Sequence, residues 1–400
     1  MRQNLMVTLF FALYFIIYGG MHVYVYFKLR SAFGSGLKWT LFYALFSLAM
    51  VAGARILWVL DLSSLPVLKK TLSYTGYLWM AFIFMVFNVF IMLDLLRLFL
   101  WALDWALSSR FGDLLASARL RVAIAVVLAA LICAWGWFEA LDIRPVYITI
   151  MSGKLPPGVE RVRVAQLSDV HLGWIIQEGR LASMLERVKE ASPDVLVITG
   201  DLVDGDMEER EAEAALFRDL DLPGGVYGVT GNHEYHAGID QALAFMEHSG
   251  IRALRNEAVR AGGIVIAGVD DRAGKFYGRK EAPSDGAVLA GLDRDSFVLF
   301  LKHQPVIDAE AVGLFDLQLS GHTHGGQIWP FSLFTSLFNK TRQGLWAIVP
   351  ADGGGRAYAE TGGEKSLIYI SNGAGTWGPP VRVLAPPEVT IFDIVRETAP

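Results

Sequence analysis

Cysteine is almost missing from this chain of 400 residues: Cys133 is the only one, and it lies inside an apolar run. A lone cysteine excludes an intramolecular disulfide and a thiolate-built metal site. Charge is also scarce, at 19% of residues, and the shortage falls on the first 141 positions. No basic tract and no aromatic-interleaved Lys/Arg patch stands out, and the net charge is −5. Nucleic acid is therefore excluded as the main partner. No internal repeat or low-complexity tract occurs.

Long hydrophobic runs, by contrast, are present. Apolar residues make up 53% of the chain, more than an ordinary water-soluble protein carries. Four stretches, Leu5 to Phe27, Trp39 to Leu60, Tyr74 to Leu100 and Val122 to Leu141, each reach the roughly 20 apolar residues that a helix needs to span a bilayer. The first is too long for a signal-peptide core and has no small-residue cleavage site before Lys28 and Arg30, so a retained anchor is expected. Trp39, Tyr74, Trp101, Trp105 and Trp135 fall near the ends of these runs, where interfacial aromatics collect. Arg55, Asp94 and Arg97 read as snorkelling or bundle-facing residues, too few to mark a transport path.

Lys28, Arg30, Lys38, Arg110, Arg119 and Arg121 narrowly outweigh Arg2, Lys69, Lys70, Arg144 and Lys154 on the opposite side. The positive-inside rule then places the first set in the cytoplasm. An even number of spans leaves both termini, and the second half of the chain, outside it. The expectation is a multi-pass protein of the cytoplasmic (inner) membrane: a membrane region over 1–141, a linker over 142–157 with Pro145, Gly153, Pro156 and Pro157 and one extended piece, Val146 to Met151, and a water-soluble domain over 158–400.

In that domain, short β-branched runs alternate with helical ones. Strands are expected at Arg161–Leu167, Val195–Thr199, Val226–Thr230, Ile264–Val269, Phe297–Leu301, Phe315–Leu319, Leu367–Ser371 and Val389–Val395. Helices are expected at Glu178–Ala191, Met207–Leu220 and Ile239–Ser249. The pattern is that of an α/β layered domain. Seven metal-type side chains follow the strands in order: Asp169 and His171 in Ser-Asp-Val-His, Asp201 in Thr-Gly-Asp, Asn232 in Gly-Asn-His-Glu, His303, and His322 with His324 in Gly-His-Thr-His-Gly-Gly. Oxygen and imidazole donors without thiolate suit a pair of Mn, Fe, Zn or Co ions and point to a two-metal hydrolase. Loops after parallel strands aim such side chains at one point, and Gly200, Gly231, Gly321, Gly325 and Gly326 supply permissive backbone for the turns.

Asp-x-His, Gly-Asp-x-x-Asp, Gly-Asn-His-Glu, a lone His and Gly-His-x-His, in this order from Val159 to Ile394, resemble the calcineurin-like metallophosphoesterases. The extension Gly-His-Thr-His-Gly-Gly-Gln resembles their membrane-associated bacterial branch. The resemblance implies an α-β-β-α sandwich, here behind an all-α membrane region of about four transmembrane helices. It implies that Asp169, His171 and His324 hold one divalent ion and Asn232, His303 and His322 a second, with Asp201 shared between them. A metal-bridging hydroxide would be the nucleophile. His233 resembles the family's non-liganding histidine, which protonates the leaving oxygen, and Asp204 would hold its tautomer.

Other residues carry less. His236 is a loop histidine near the motif, and Asp270 with Asp271 is either a strand-end turn or a hydrogen-bond partner of a ligand histidine. Ile328 to Trp346, with Trp329, Phe331, Leu333, Phe334, Leu337 and Phe338, is either a lip that dips into the bilayer or a lid on the domain's own core. The related bacterial enzymes include one type that cleaves the pyrophosphate of a UDP-linked diacylglucosamine, which by analogy directs attention to phospholipid or lipid-linked sugar substrates. The expected activity is hydrolysis of a phosphodiester or pyrophosphate at a membrane. The alternatives are a tethered hydrolase of soluble nucleotides or phosphomonoesters, and a non-catalytic membrane receptor or scaffold; intact His233 and Asp201 argue against the last.

Overall fold

The computed structural model describes residues 2–59, 65–205, 207, 210–338, 343–348, 356–357 and 366–397. They fall into a helical unit, residues 1–138 with 378–381, and an α/β unit, residues 139–377 with 382–400. The helical unit is built on α1 (Arg2–Phe33), α2 (Leu37–Val59), α3 (Pro66–Leu107) and α4 (Ala118–Leu141). Large apolar side chains such as Leu45, Leu48, Trp105 and Leu131 face outward, while Ala125 and Ala129 are buried. That is the reverse of a water-soluble bundle and suits a lipid surround.

Two helices are long and apolar enough to cross a membrane, Val67–Leu107 and Ala118–Leu141, and Leu37–Gly53 is a shorter apolar stretch. Of the four spans expected, two therefore qualify among the described residues. Several polar groups in this unit find partners inside it, and an ion pair, Lys28 with Asp94, is present among the described residues. Asp94 accepts from Lys28 Nζ at 2.5 Å and from the Tyr24 hydroxyl at 2.6 Å. His22 donates from Nδ1 to the Tyr18 carbonyl at 2.8 Å and accepts at Nε2 from Trp79 Nε1 at 2.9 Å. The side chain of Arg55 lies outside the described residues.

In the α/β unit the strands are β1 (Arg144–Ser152), β2 (Arg161–Leu167), β3 (Val195–Thr199), β4 (Val226–Val229), β5 (Arg252–Ala253), β6 (Glu257–Ala261), β7 (Ile264–Gly268), β8 (Val298–Leu301), β9 (Leu317–Ser320), β10 (Gly344–Ile348), β11 (Arg356–Ala357), β12 (Ser366–Ile370) and β13 (Glu388–Arg396). They form one sheet in the order β1-β13-β2-β3-β4-β5 and another in the order β11-β10-β12-β9-β8-β7-β6. The stretch read as a linker thus contributes the edge strand β1, parallel to β13 with Arg144 opposite Glu388.

The helices are α5 (Glu178–Ala191), α6 (Glu211–Arg218), α7 (Asn232–Ala237), α8 (Ile239–His248), α9 (Asp285–Leu289) and α10 (Phe331–Phe338). α6 is shorter than expected, and residues 206, 208 and 209 before it lie outside the described ones. α5 buries Leu181, Met184, Leu185 and Val188, the i, i+3, i+4, i+7 spacing of one helix face.

β3 is buried on both sides, and its alternation sorts its side chains between two cores. Leu196 and Ile198 join α5, α6 and α8 through Leu185, Phe217 and Met246. Val195 and Val197 face the second sheet and meet Ile264, Leu299 and Leu317. Each such apolar side chain contributes on the order of 1.5 to 3 kcal/mol by burial. β2, β3 and β4 are parallel, as are β7, β8, β9 and β12. Their carboxyl ends carry the polar loops of the sequence motifs.

Candidate metal centre

Each metal-type residue follows a strand by two to four positions: Asp169 and His171 after β2, Asp201 after β3, Asn232 after β4, His303 after β8, His322 and His324 after β9. Their backbone is unusual. Asp169, His171, Asp201, His322 and His324 all have positive φ, between 50° and 70°. Non-glycine residues hold that conformation at a cost of about 1 to 3 kcal/mol each, and only where neighbours over-determine it. Here main-chain bonds do so: Asp169 N to Gly200 O at 3.1 Å, His171 N to Asp201 O at 3.0 Å, and Gly321 N to His303 O at 2.9 Å.

The motif glycines serve two ends. Gly200, Gly325 and Gly326 have positive φ, as the turns require. Gly231 and Gly321 are needed instead for close approach. A Cβ on Gly231 would lie 2.2 Å from Asp201 Oδ1, and one on Gly321 would lie 2.1 Å from Asp169 Oδ2.

Two groups of donor atoms result. His171 Nε2 lies 3.0 Å from His324 Nε2, which is 3.4 Å from Asp169 Oδ1. In the other group His303 Nε2 lies 3.1 Å from Asp201 Oδ2, 3.2 Å from Asn232 Oδ1 and 3.2 Å from His322 Nδ1. Asp201 Oδ2 is also 3.8 Å from His171 Nε2, so this carboxylate faces both groups. All seven expected donors are brought together. Asp169, His171 and His324, and likewise Asp201, His303 and His322, offer ligand atoms within 4.8 Å of one another.

This donor chemistry fits divalent cations. A single proton on His303 Nε2 can serve only one of the three acceptors around it, whereas a cation satisfies all of them. His303 donates from Nδ1 to the Thr199 carbonyl at 2.9 Å, which fixes the ring and leaves Nε2 for the centre. Burial, and then the charge on His233, lower His171 to about 4. Burial and His303 lower His322 to about 4. Both rings are thus neutral at pH 7 with lone pairs free. His303 differs: burial disfavours its charged form, but Asp201 outweighs burial and raises it well above the usual range.

His233 is 7% exposed and stands beside the donors. Its Nδ1 is 2.6 Å from Asp204 Oδ1, and its main-chain N–H donates to Asp201 Oδ1 at 2.8 Å. Burial lowers the affinity of this ring for a proton, but the Asp201 charge and the bond to Asp204 prevail and raise it to about 9. At neutral pH the ring is protonated in the metal-free chain. His236 packs against it at a centroid distance of 5.3 Å, and Trp377 does so edge-on at 5.6 Å.

Three features have roles that the sequence motifs do not assign. Glu234 is fully buried and accepts from the backbone N–H groups of Asp201, Leu202, Val203 and Gly231 at 2.5 to 3.1 Å, tying together the loops that carry Asp201 and Asn232. Its position in Gly-Asn-His-Glu was the available signal. Arg382 is also fully buried and donates to the carbonyls of Asn372, Gly375 and Ala385, holding the 372–375 turn against Asp169. No motif marks it. Gln327 and Trp377 bond reciprocally, side chain to main chain, at 2.9 and 3.0 Å. Among the described residues, Asp270 and Asp271 bond to Arg255, Asn256, Thr230, Ala273 and Gln304 rather than to a histidine.

Two stacked sheets that gather imidazoles, carboxylates and an amide at the carboxyl ends of their parallel strands define a metal-dependent phosphoric ester hydrolase. Comparison with known proteins agrees. Residues 162–326 match the family model for calcineurin-like phosphoesterases. An uncharacterized metallophosphoesterase of Aquifex aeolicus is 39% identical over 271 residues, 67% of this chain and 97% of the relative. One from Campylobacter jejuni is 34% identical over 60% of this chain and 61% of its own. A bovine protein described as a transmembrane protein with metallophosphoesterase domain is 28% identical, over 74% of this chain and 68% of its own. The chain belongs to the calcineurin-like metallophosphoesterases.

Proposed function

We propose that the protein is a membrane-anchored phosphoesterase that hydrolyses phosphodiester or pyrophosphate bonds at a binuclear metal centre. The observation that carries this reading is Asp201 Oδ2, which faces His303 Nε2 at 3.1 Å and His171 Nε2 at 3.8 Å. In this reading Asp169, His171 and His324 hold one ion, Asn232, His303 and His322 the other, and Asp201 is shared. Two divalent ions, of Mn, Fe, Zn or Co type, would supply an activated water and a clamp for a phosphoryl oxygen. His233 delivers the proton to the leaving oxygen, and Asp204 fixes its Nδ1–H so that Nε2 faces the substrate. Glu234 holds the Asp201 loop in place. The test is metal analysis of the purified full-length chain, together with turnover of bis(p-nitrophenyl) phosphate and its loss on chelation.

The membrane region, residues 1–141, would carry about four spans, and the segment 142–157, which includes β1, would lead into a catalytic domain, 158–400, outside the cytoplasm. A reporter enzyme that works only outside the cytoplasm, fused after Pro400, should be active, and a fluorescent protein that matures only inside should stay dark. The opposite pattern would reverse the orientation.

A lipid substrate, phospholipid or lipid-linked sugar, is the favoured class. Its support is the start of α10, where Phe331 and Leu333 are 52% and 57% exposed within a few residues of His324. The side chains of Phe334, Leu337 and Phe338 lie outside the described residues. Replacing Phe331 and Leu333 together with serine should leave turnover of a small soluble diester within about twofold. Turnover of a vesicle-borne substrate should fall about tenfold or more, because each side chain entering lipid contributes on the order of 1.5 to 3 kcal/mol. Equal losses on both substrates, with a lower Tm, would make the segment a lid on the domain's own core.

A further inference from the structure

A cavity of about 860 Å³ is lined in part by sequence neighbours of the metal-type residues. Tyr235, two residues after His233, and Gln304, directly after His303, form part of its wall, as do Lys275, Arg279 and Lys280. The latter belong to a segment that no sequence motif marks, Arg272-Ala-Gly-Lys-Phe-Tyr-Gly-Arg-Lys280, which has four cations and no acid. It is a short aromatic-interleaved cluster, contrary to the expectation of none, and the acids Asp270, Asp271 and Glu281 on either side of it mask it in the sequence. Phe276 and Tyr277 are 41% and 42% exposed.

Four of the five carboxylates that line this cavity are engaged with partners, and the fifth, Glu281, directly follows Lys280. Asp270 takes a two-pronged bond from Arg255 at 2.8 and 3.0 Å. Asp285 is paired with buried Lys302. Asp271 accepts from Gln304 Nε2 and from Ala273 N. Asp308 lies 3.6 Å from Arg272. Arg279 reaches Asp240, an exposed carboxylate outside the cavity wall, at 2.7 Å, and neither Lys275 nor Lys280 has an ion pair among the described residues. The lining as a whole holds six cations and five carboxylates, a net charge of +1. The segment Arg272 to Lys280 is also tied to the metal-type site through a residue outside the cavity lining: the Tyr277 hydroxyl lies 2.5 Å from His236 Nδ1, and His236 packs on His233.

We propose that this cleft is an anion subsite in which Lys275, Arg279 and Lys280 receive a second phosphate of the substrate, so that the preferred substrates carry a further phosphoryl group beyond the scissile ester. The proposal rests on the phosphoesterase reading above. Charge-assisted bonds to phosphate are the strong kind, and cations on the rim of a water-filled cleft also draw the anion in before it reaches the metals. A soluble bisphosphate and a phosphorylated lipid headgroup present the same chemistry to the cleft.

The test uses the full-length, metal-loaded protein and a triple variant, Lys275→Gln, Arg279→Gln, Lys280→Gln. Two soluble diesters release the same p-nitrophenolate: bis(p-nitrophenyl) phosphate, and p-nitrophenyl glycerophosphate bearing a phosphomonoester at the other end of the glycerol. The variant should raise KM for the second by about tenfold while changing kcat and KM for the first less than about twofold, at an unaltered Tm. The advantage of the second substrate in the parent protein should shrink as salt is raised.

Equal effects on both diesters, or none on either, would overturn the subsite. A third arm separates the sources. Flotation with phosphatidylcholine vesicles, with and without phosphatidic acid, should be the same for parent and variant. A variant that loses only its binding to the acidic vesicles, with KM unchanged, would show that the cations serve the membrane surface and not the substrate. If the parent protein turns over neither diester, the phosphoesterase reading itself fails. Equilibrium dialysis of pyrophosphate against both proteins then decides the subsite without turnover: weaker binding by about tenfold in the variant supports it and equal binding overturns it.

Discussion

Asp201→Asn is expected to strip most of the bound metal and to lower diester hydrolysis by about three orders of magnitude or more. Asp201 is the one donor that faces both groups, at 3.1 Å from His303 Nε2 and 3.8 Å from His171 Nε2. Replacing its carboxylate by an amide removes the anion that two neighbouring divalent ions would share, so each keeps only its own ligands. A loss of about 4 kcal/mol from the metal's several-kcal/mol stabilisation of the transition state corresponds to that thousandfold drop. The fold should survive, because the asparagine oxygen can still accept the bond that Asp201 Oδ1 receives from His233 N at 2.8 Å. Metal content by elemental analysis and turnover of bis(p-nitrophenyl) phosphate are the measurements. Full activity with metal still bound would sink the shared-carboxylate assignment.

His233→Asn separates a proton donor from a ligand. Metal content should stay at the parent value while turnover falls by about 10²- to 10⁴-fold, the usual contribution of a positioned general acid. The loss should be greatest for an alkyl leaving group and smallest for p-nitrophenolate, which departs without a proton. The reasoning rests on the 2.6 Å contact of His233 Nδ1 with Asp204 Oδ1, which commits that nitrogen and leaves Nε2 for the leaving oxygen. His171, Asp201 and His233 also form a third group whose ligand atoms lie within 4.8 Å of one another. Loss of one ion in the mutant would therefore make His233 a ligand, and the leaving-group dependence would vanish with it.

The central strands of the α/β unit were legible because their signal is local. β2, β3 and the helix α5 fall on the expected residues, Arg161–Leu167, Val195–Thr199 and Glu178–Ala191, since β-branched runs and a 3.6-residue stripe are properties of a dozen neighbours. Val226–Val229, Val298–Leu301 and Leu317–Ser320 differ from expectation by only one or two residues at an end. The edge strand β1 and the hairpin strand β6 carry weaker patterns. β1 reads as an extended piece, Val146 to Met151, within a linker, and only its pairing with β13, more than 200 residues away, makes it part of the sheet. In the helical unit an apolar run reveals composition but not how many helices cross a bilayer; the described residues supply two that meet the length and hydropathy required.

The sequence by itself determined the donor types, their order and the strand ends that carry them, because metal-type side chains and glycine turns are written in short motifs. Only the tertiary structure decided their convergence. Asp169 and His322 are 153 positions apart, yet the backbone N–H of His322 bonds Asp169 Oδ1 at 2.9 Å, because two sheets stack and turn the same ends of their parallel strands toward one point. It likewise decided the left-handed backbone at five donors, the buried anchors Glu234 and Arg382, and the cationic wall 272–280. Each depends on contacts between segments distant in the chain, and a one-dimensional pattern of residue types carries no distance between them.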